Sequence, residues 1–158
     1  MARQPLNIQP NDRIPTTVNN SNASPFAFII DDEPDICQLV ATTLSKFGIE
    51  SATFSAAKPA LASLYQRWPV ITFLDIALDQ SDAYDVIRGL SEKRYGGIIQ
   101  LMSGGKPWLL KSTQGLATRY ALTLSPPLQK PFQDDAIRAV IERLGLTGTS
   151  PPLPDPDH

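Results

Sequence analysis

The chain has 158 residues, 42% of them hydrophobic and 19% charged, which suits one globular domain rather than two. The formal net charge is −2 and no arginine- or lysine-rich run occurs, so the sequence offers no basic surface for a nucleic acid. A single cysteine excludes an internal disulfide framework, and no apolar run approaches the length of a membrane span or signal peptide, so we expect a cytoplasmic protein.

The two ends of the chain lack the apolar periodicity of packed structure. Residues 1–24 are rich in Asn, Pro, Ser and Thr and are predicted to form a disordered extension. Residues 147–158, "TGTSPPLPDPDH", are predicted to form an extended proline-rich tail that carries His158, the only histidine. The folded domain is therefore expected to span residues 25–146.

Short apolar runs alternate with amphipathic segments in the domain, as in βα units around a parallel sheet. "FAFII" predicts a buried first strand, followed by a helix that begins at Pro34 and stops at Gly48. "IESATF" predicts the second strand, and the helix after it carries Leu61, Leu64 and Tyr65.

The second half of the domain continues the same alternation. "VITFL" and "IIQLM" predict the third and fourth strands, and a helix beginning near Pro107 follows the latter. The fifth strand must include Pro126 and Pro127, which cannot donate ladder hydrogen bonds, so it is expected to be short or at an edge. A closing helix stops at Gly145. Five βα units predict an α/β fold with a doubly wound parallel sheet.

Chemically distinct side chains stand where four of these strands end. They are Asp31, Asp32 and Glu33 after the first strand, Asp75 after the third, Ser103 and Gly104 after the fourth, and Lys130 with Pro131 after the fifth. The carboxyl ends of the strands in such a sheet share one edge, where ligands bind. We therefore expect the four groups to meet in space.

The expected cluster has the chemistry of a phosphoryl-transfer site. The carboxylates of Asp31, Asp32 and Asp75 would repel one another unless a cation joined them, and hard oxygen ligands suit Mg²⁺, or Mn²⁺ in its place. A lysine and a small hydroxyl, Lys130 and Ser103, would neutralise and position the transferred group. Asp75 is the best placed nucleophile.

Each group also has a simpler explanation when it is taken alone. The acids before Pro34 are common at helix starts, and an aspartate such as Asp75 at a strand end is common in turns. Ser103 beside two glycines is typical of a turn, and a lone Lys130 is more often a solvated charge. These explanations predict no relation among the four positions, whereas the sequence has one group at each of four strand ends.

The segments "FIIDDEPDI", "FLDIAL", "QLMSGG" and "LQKPF" together resemble the receiver domain of two-component response regulators, and the likeness covers roughly residues 26–144. The resemblance implies a flavodoxin-like fold with strand order 2-1-3-4-5 and helices on both faces. It also implies a signalling domain rather than an enzyme. A weaker likeness, carried by "PPLQKPF" and "SDA", is to receivers linked to cyclic-di-GMP phosphodiesterases of the EAL type.

The resemblance assigns a role to each group at the strand ends. Asp75 becomes the phospho-acceptor, and Asp31 and Asp32 hold Mg²⁺ together with the backbone carbonyl of Ala77. Lys130 pairs with the phosphoryl group, and its bond to the following proline is cis, which a tertiary amide permits at modest cost.

A second set of positions belongs to the switch. Ser103 hydrogen-bonds the phosphoryl group in such a domain, and Gly104 and Pro131 are loop positions beside it. The family's switch aromatic is replaced here by Pro127, so the usual pair of serine and aromatic is incomplete in this chain. The loop after Asp75 also departs from the family, with Asp79 in place of a proline.

No output module is recognised after residue 145, so the resemblance implies a single-domain regulator that acts by binding other proteins. A histidine kinase or phosphotransfer protein would donate the phosphoryl group. An unidentified downstream protein would receive the signal, with a homodimer through the face of the fourth and fifth helices as a further expectation. Nucleic acid and membrane are not expected partners.

Two other functions remain open from the residues. A phosphatase of the haloacid-dehalogenase kind also places aspartates, a hydroxyl and a lysine on a parallel sheet, but "DDEPD" lacks its D-x-D spacing and the chain is short for a substrate cap. A receiver-like binding module that is never phosphorylated fits the altered loop and the missing aromatic, although the complete acidic set argues against it.

Overall fold

The computed structural model describes residues 25–78 and 83–146, and within them it contains five strands and five helices. The strands are β1 (Phe26–Ile30), β2 (Glu50–Phe54), β3 (Ile71–Asp75), β4 (Ile98–Ser103) and β5 (Thr123–Gln129). The helices are α1 (Pro34–Lys46), α2 (Ala57–Ser63), α3 (Ala83–Glu92), α4 (Pro107–Arg119) and α5 (Asp134–Leu144). The predicted tails, the predicted difference at Asp79 and the first two residues of "SDA" fall outside the described residues.

The strands form one parallel sheet in the order β2-β1-β3-β4-β5, which confirms the predicted fold. Alternate residues of each strand face opposite layers, so that Ile29 and Phe73 pack against α1 and α5, and Phe28 and Leu74 pack against α2, α3 and α4. Both faces of the central strands are therefore buried, as a parallel sheet requires.

The start and stop signals in the sequence mark three of the helices. Pro34 and Pro107 occupy the first turns of α1 and α4, where a missing N–H costs nothing. Gly145 ends α5 in the left-handed conformation, with φ 67°. None of the described helices has the length and apolar character needed to span a membrane.

The helix α2 is shorter than the sequence predicted. It ends at Ser63, so Tyr65 lies beyond it and is 80% exposed instead of packing on a helical face. The Tyr65 ring lies under the ammonium of Lys93, 4.2 Å from the ring centroid, and its hydroxyl accepts a hydrogen bond from the same group. This surface contact with a residue 28 positions away replaces the core contact that the local pattern indicated.

The strand β5 lies at the edge of the sheet, as the two prolines predicted. It pairs only with β4 among the described strands, and Pro126 and Pro127 are exposed. Its pairing is irregular between Gln100 and Met102 of β4. The irregularity lies directly before the residues that lead into the predicted site.

Candidate phosphoryl-acceptor site

The strand ends bring the predicted groups together at one edge of the sheet. Asp31 directly follows β1, and Asp75 and Ser103 are the last residues of β3 and β4 rather than the residues after them. Carboxylate oxygens of Asp31, Asp32 and Asp75 lie within 4.8 Å of one another. Lys130 follows β5 and reaches this cluster with its ammonium.

The carboxylate of Asp75 is fixed at both oxygens. Its Oδ1 accepts a hydrogen bond from the backbone N–H of Ala77 at 3.1 Å, and its Oδ2 lies 3.3 Å from Lys130 Nζ. The following residue, Ile76, donates its N–H to the carbonyl of Met102 and so ties the turn to β4. Asp75 is only 3% exposed, so a reacting group must approach it from the open edge of the sheet.

The carboxylate of Asp31 is more deeply buried than an ordinary surface acid. Its Oδ1 accepts a hydrogen bond from the N–H of Glu33 at 2.8 Å, and its Oδ2 forms an ion pair with Lys130 Nζ at 2.8 Å. Burial raises the pKa of Asp31 to about 6, and the charge of Asp75 adds to this, although Lys130 partly opposes the shift. Asp31 therefore holds its negative charge less readily than a free aspartate.

The ammonium of Lys130 joins three carboxylates. Besides Asp31 and Asp75, it lies 2.7 Å from Glu33 Oε1. Burial lowers the pKa of Lys130, but the contacts with these acids outweigh that effect and leave the pKa above its usual value. The Lys130–Pro131 peptide bond is cis, as the resemblance implied, and Lys130 N–H donates to the carbonyl of Ser103 at 2.7 Å.

The donor set fits a hard divalent cation. Asp31 Oδ2 is shielded from solvent and accepts no well-aligned hydrogen bond. Lys130 Nζ lies close enough to it for an ion pair, but the angle is not that of a hydrogen bond. Asp32 and Asp75 place further carboxylate oxygens beside it. Clustered carboxylates at a partly open site are the ligands that Mg²⁺ and Mn²⁺ prefer.

The remaining predicted positions differ in burial. Ser103 is buried, with 6% exposure, and its carbonyl holds the backbone of Lys130. Ala77, Gly104, Pro127 and Pro131 are exposed. Ser103 thus contacts Lys130 through its main chain.

Two features of the site were not predicted. Glu33 was recognised as part of the acidic triplet, but its ion pair with Lys130 joins residues 97 apart and has no local signal. A cleft of about 460 Å³ also opens beside the acids, between the start of α1 and the end of β2. Its lining includes Asp31, Asp32, Cys37, Gln38, Thr53 and Phe54. Cys37 is partly buried and donates its thiol proton to the carbonyl of Asp31.

The comparisons with known proteins define the class. The family model of the response regulator receiver domain matches residues 27–142, and the chain belongs to this family. The predicted resemblance is therefore confirmed, and the chain is a signalling domain homologous to response regulators. The narrower likeness to receivers of cyclic-di-GMP signalling stays a prediction.

Particular relatives share the domain but are much longer. The nitrogen assimilation regulatory protein NtrX of Azorhizobium caulinodans is 31% identical over 120 residues, which are 73% of this chain and 25% of NtrX. The C4-dicarboxylate transport transcriptional regulatory protein DctD of Pseudomonas aeruginosa is 27% identical over 130 residues, 76% of this chain and 27% of DctD. The chain thus spans about a quarter of these relatives.

A solved structure gives the same picture at the level of one domain. The receiver domain of NtrX from Brucella abortus superposes with a TM-score of 0.62 and 32% identity, covering 74% of this chain and 95% of that one. The similarity therefore extends over a whole receiver domain.

Proposed function

We propose that Asp75 accepts a phosphoryl group from a histidine kinase or a phosphotransfer protein. The observation that carries the proposal is the placement of a buried Asp75 carboxylate at a strand end, between the ammonium of Lys130 and two further acids. The receiver domain would correspond to residues 25–146, and the chain would act in the cytoplasm.

The proposed transfer uses Asp75, Lys130 and Ser103. A carboxylate oxygen of Asp75 attacks the phosphorus of a phosphohistidine that carries a proton on its other ring nitrogen, the phosphorus–nitrogen bond breaks, and the ring leaves as neutral imidazole. Lys130, 3.3 Å from Asp75 Oδ2, neutralises charge on the phosphoryl oxygens, and the hydroxyl of Ser103 hydrogen-bonds the phosphoryl group.

The proposed cofactor is Mg²⁺, with Mn²⁺ as a substitute. Asp31, Asp32, Asp75 and the carbonyl of Ala77 would hold it. When bound, the cation offsets the mutual repulsion of the carboxylates and the negative charge of the incoming group. The residues themselves keep the acceptor oriented through the Ala77 N–H and exclude water by burial of Asp75.

Phosphorylation of Asp75 would bias two conformations of the face formed by α4, β5 and α5, and an unidentified downstream protein would read this face. A homodimer through α4 and α5 is part of the same proposal. This output would not involve nucleic acid or membrane.

Labelling by acetyl phosphate, a small phosphodonor, tests the assignment. The full chain is expected to gain one phosphoryl group in the presence of Mg²⁺, and neither the Asp75→Asn variant nor the chelator-treated chain is expected to gain it. Asp85→Asn is the matched control, because Asp85 is an exposed carboxylate on α3. Label in Asp75→Asn would refute the site, and absence of label in the unaltered chain would favour a phosphorylation-independent binding module.

A further inference from the structure

The pairing of β4 with β5 contains one extra residue on β5. Gln100 is aligned with Ser125 and Met102 with Leu128, so β4 advances by two residues where β5 advances by three. This is a one-residue bulge, and Pro126 and Pro127 occupy it. The bulge ends three positions before Lys130, which carries the ammonium of the site.

The bulge decides which way the following side chains point. Successive residues of a strand face opposite sides, so Ser125 and Leu128 would lie on opposite faces in a regular strand. With the extra residue, Leu128 returns to the face of α1 and α5, where it packs beside the core. Gln129 then pairs with Ser103, and Lys130 N–H donates to the Ser103 carbonyl.

A buried glutamine spans this bulge. Gln100 is 0% exposed, and its Nε2 donates to the carbonyl of Pro126 on β5 at 2.7 Å and to the carbonyl of Leu101 on β4 at 3.3 Å. The reverse orientation of the amide would place its oxygen against two carbonyl oxygens, so the hydrogen bonds fix the orientation. The side chain supplies N–H donors where two consecutive prolines have none.

Core packing alone does not explain why an amide side chain is buried at position 100. Gln100 lies between Ile98 and Met102 on the face of α1 and α5, and it is aligned with Phe73 of β3 and Ser125 of β5. Its Oε1 is buried and has no hydrogen-bond partner among the described residues, which costs free energy that an apolar residue would not. Its amide donors at the bulge are what distinguish it from an apolar residue.

We infer that Gln100 is a positioning residue for Lys130: it holds the double-proline bulge of β5 in the register that delivers the lysine to Asp31 and Asp75. The inference rests on the proposed function and deepens it, since it concerns the Lys130 ammonium of the same site. It assigns the role to a residue that contacts neither the phosphoryl acceptor nor its acids. Removal of the amide should make residues 128–130 more mobile and leave the carboxylates of Asp31 and Asp75 in place.

The test uses Gln100→Met in the full chain, since methionine has a similar length and no donor. Amide hydrogen exchange at Leu128 and Lys130 should quicken about tenfold, the scale of one net hydrogen bond, with β1 and β3 unchanged. Thr72→Val is the matched control, because it removes a buried polar group on β3, away from the bulge. The inference is overturned if exchange at Lys130 stays at the wild-type rate, or if all strands quicken equally.

A second measurement needs no substitution. In the unaltered chain the side-chain amide protons of Gln100 should exchange slowly, at least about tenfold below the solvent-exposed rate, because the side chain is fully buried and its Nε2 donates to the carbonyls of Pro126 and Leu101. Exchange at the rate of an exposed glutamine such as Gln38 would overturn the inference.

Phosphorylation gives the functional readout. Labelling of Gln100→Met by acetyl phosphate should slow about tenfold relative to Thr72→Val, because the cation that neutralises the phosphoryl group is less well placed. Equal labelling rates in the two variants would contradict the positioning role. Hydrogen exchange does not depend on phosphorylation, so a chain that never takes up label would refute the proposed function alone.

Discussion

The two halves of the phosphoryl-acceptor site are supported in different ways. Asp31 and Asp75 stand at the ends of β1 and β3, whose side chains are almost wholly buried and whose parallel pairing is regular. Lys130 follows an edge strand that contains two prolines and a bulge, held partly by side chains instead of main-chain bonds. The two aspartates are therefore held by the core of the sheet, whereas the position of the Lys130 ammonium depends on the less firmly paired edge strand β5.

This difference indicates where a conformational response would begin. Elements with few buried contacts and few ladder hydrogen bonds open at lower free energy than central strands. Pro127, at the position where the resemblance predicts a switch residue, lies on the same edge strand. We expect the response to start in β5 and to leave β1 and β3 unchanged.

The largest effect is expected from removal of the Lys130 ammonium. Lys130→Ala should retain less than about a tenth of the conformational response to Mg²⁺ and beryllofluoride, because no ammonium remains to pair with the phosphoryl oxygens. The response is measured as chemical-shift changes over residues 106–129, with the exposed Lys58→Ala as control. Identical spectra of the unaltered chain with and without beryllofluoride would contradict the proposed output segment.

A pair of core substitutions compares the two regions directly. Phe73→Ala on β3 should lower the free energy of unfolding by about 4 kcal/mol, because it empties a fully buried site. Leu128 on β5 packs against the same core but is only half-buried, so Leu128→Ala should lower the free energy of unfolding by about 1–2 kcal/mol. Equal losses in chemical denaturation would show that the edge strand is as firmly held as the centre.

The pH dependence of stability tests the burial of the acids. Burial raises the pKa of Asp31 from 3.8 to about 6, so between these values the folded state keeps a proton that the unfolded state has lost. Its contribution is present below pH 4 and is lost as the pH rises through about 6. Asp31→Asn should therefore reduce the fall in unfolding free energy between pH 4 and 7 by on the order of 2 kcal/mol.

That measurement is made with a chelator present, so that no cation compensates the acids. The exposed Asp135→Asn is the matched control. A slope in Asp31→Asn equal to that of the unaltered chain would mean that Asp31 is better solvated than its 2% exposure indicates.

The smallest effect concerns a second side-chain contact of β5. Arg143 of α5 donates from Nη2 to the hydroxyl of Ser125 at 2.8 Å. Ser125→Ala should cost about 1 kcal/mol in unfolding free energy and quicken amide exchange in β5, because one hydrogen bond across the helix and the edge strand is lost. Arg138→Ala, which removes a surface ion pair with Asp134 and a contact over the ring of Phe47, should have a smaller effect. Wild-type stability in Ser125→Ala would remove this contact from the support of the edge.

The sequence by itself determined the α/β class, the order of the elements and the residue types at the strand ends. Apolar periodicity and the positions of Pro34 and Gly145 are local signals, because they record which residues can begin, continue or end a helix or strand. The shared edge of a parallel sheet then brought Asp31, Asp75 and Lys130 together without further information.

Only the tertiary structure decided how these groups are held. The raised pKa of Asp31 and the pairing of Lys130 with Glu33 depend on burial and on contacts between segments far apart in the chain. The register of β5 likewise rests on Gln100, 26 residues before Pro126, and no periodicity within β5 records it. Spacing along the chain fixes local conformation, whereas register and electrostatic environment arise from long-range packing.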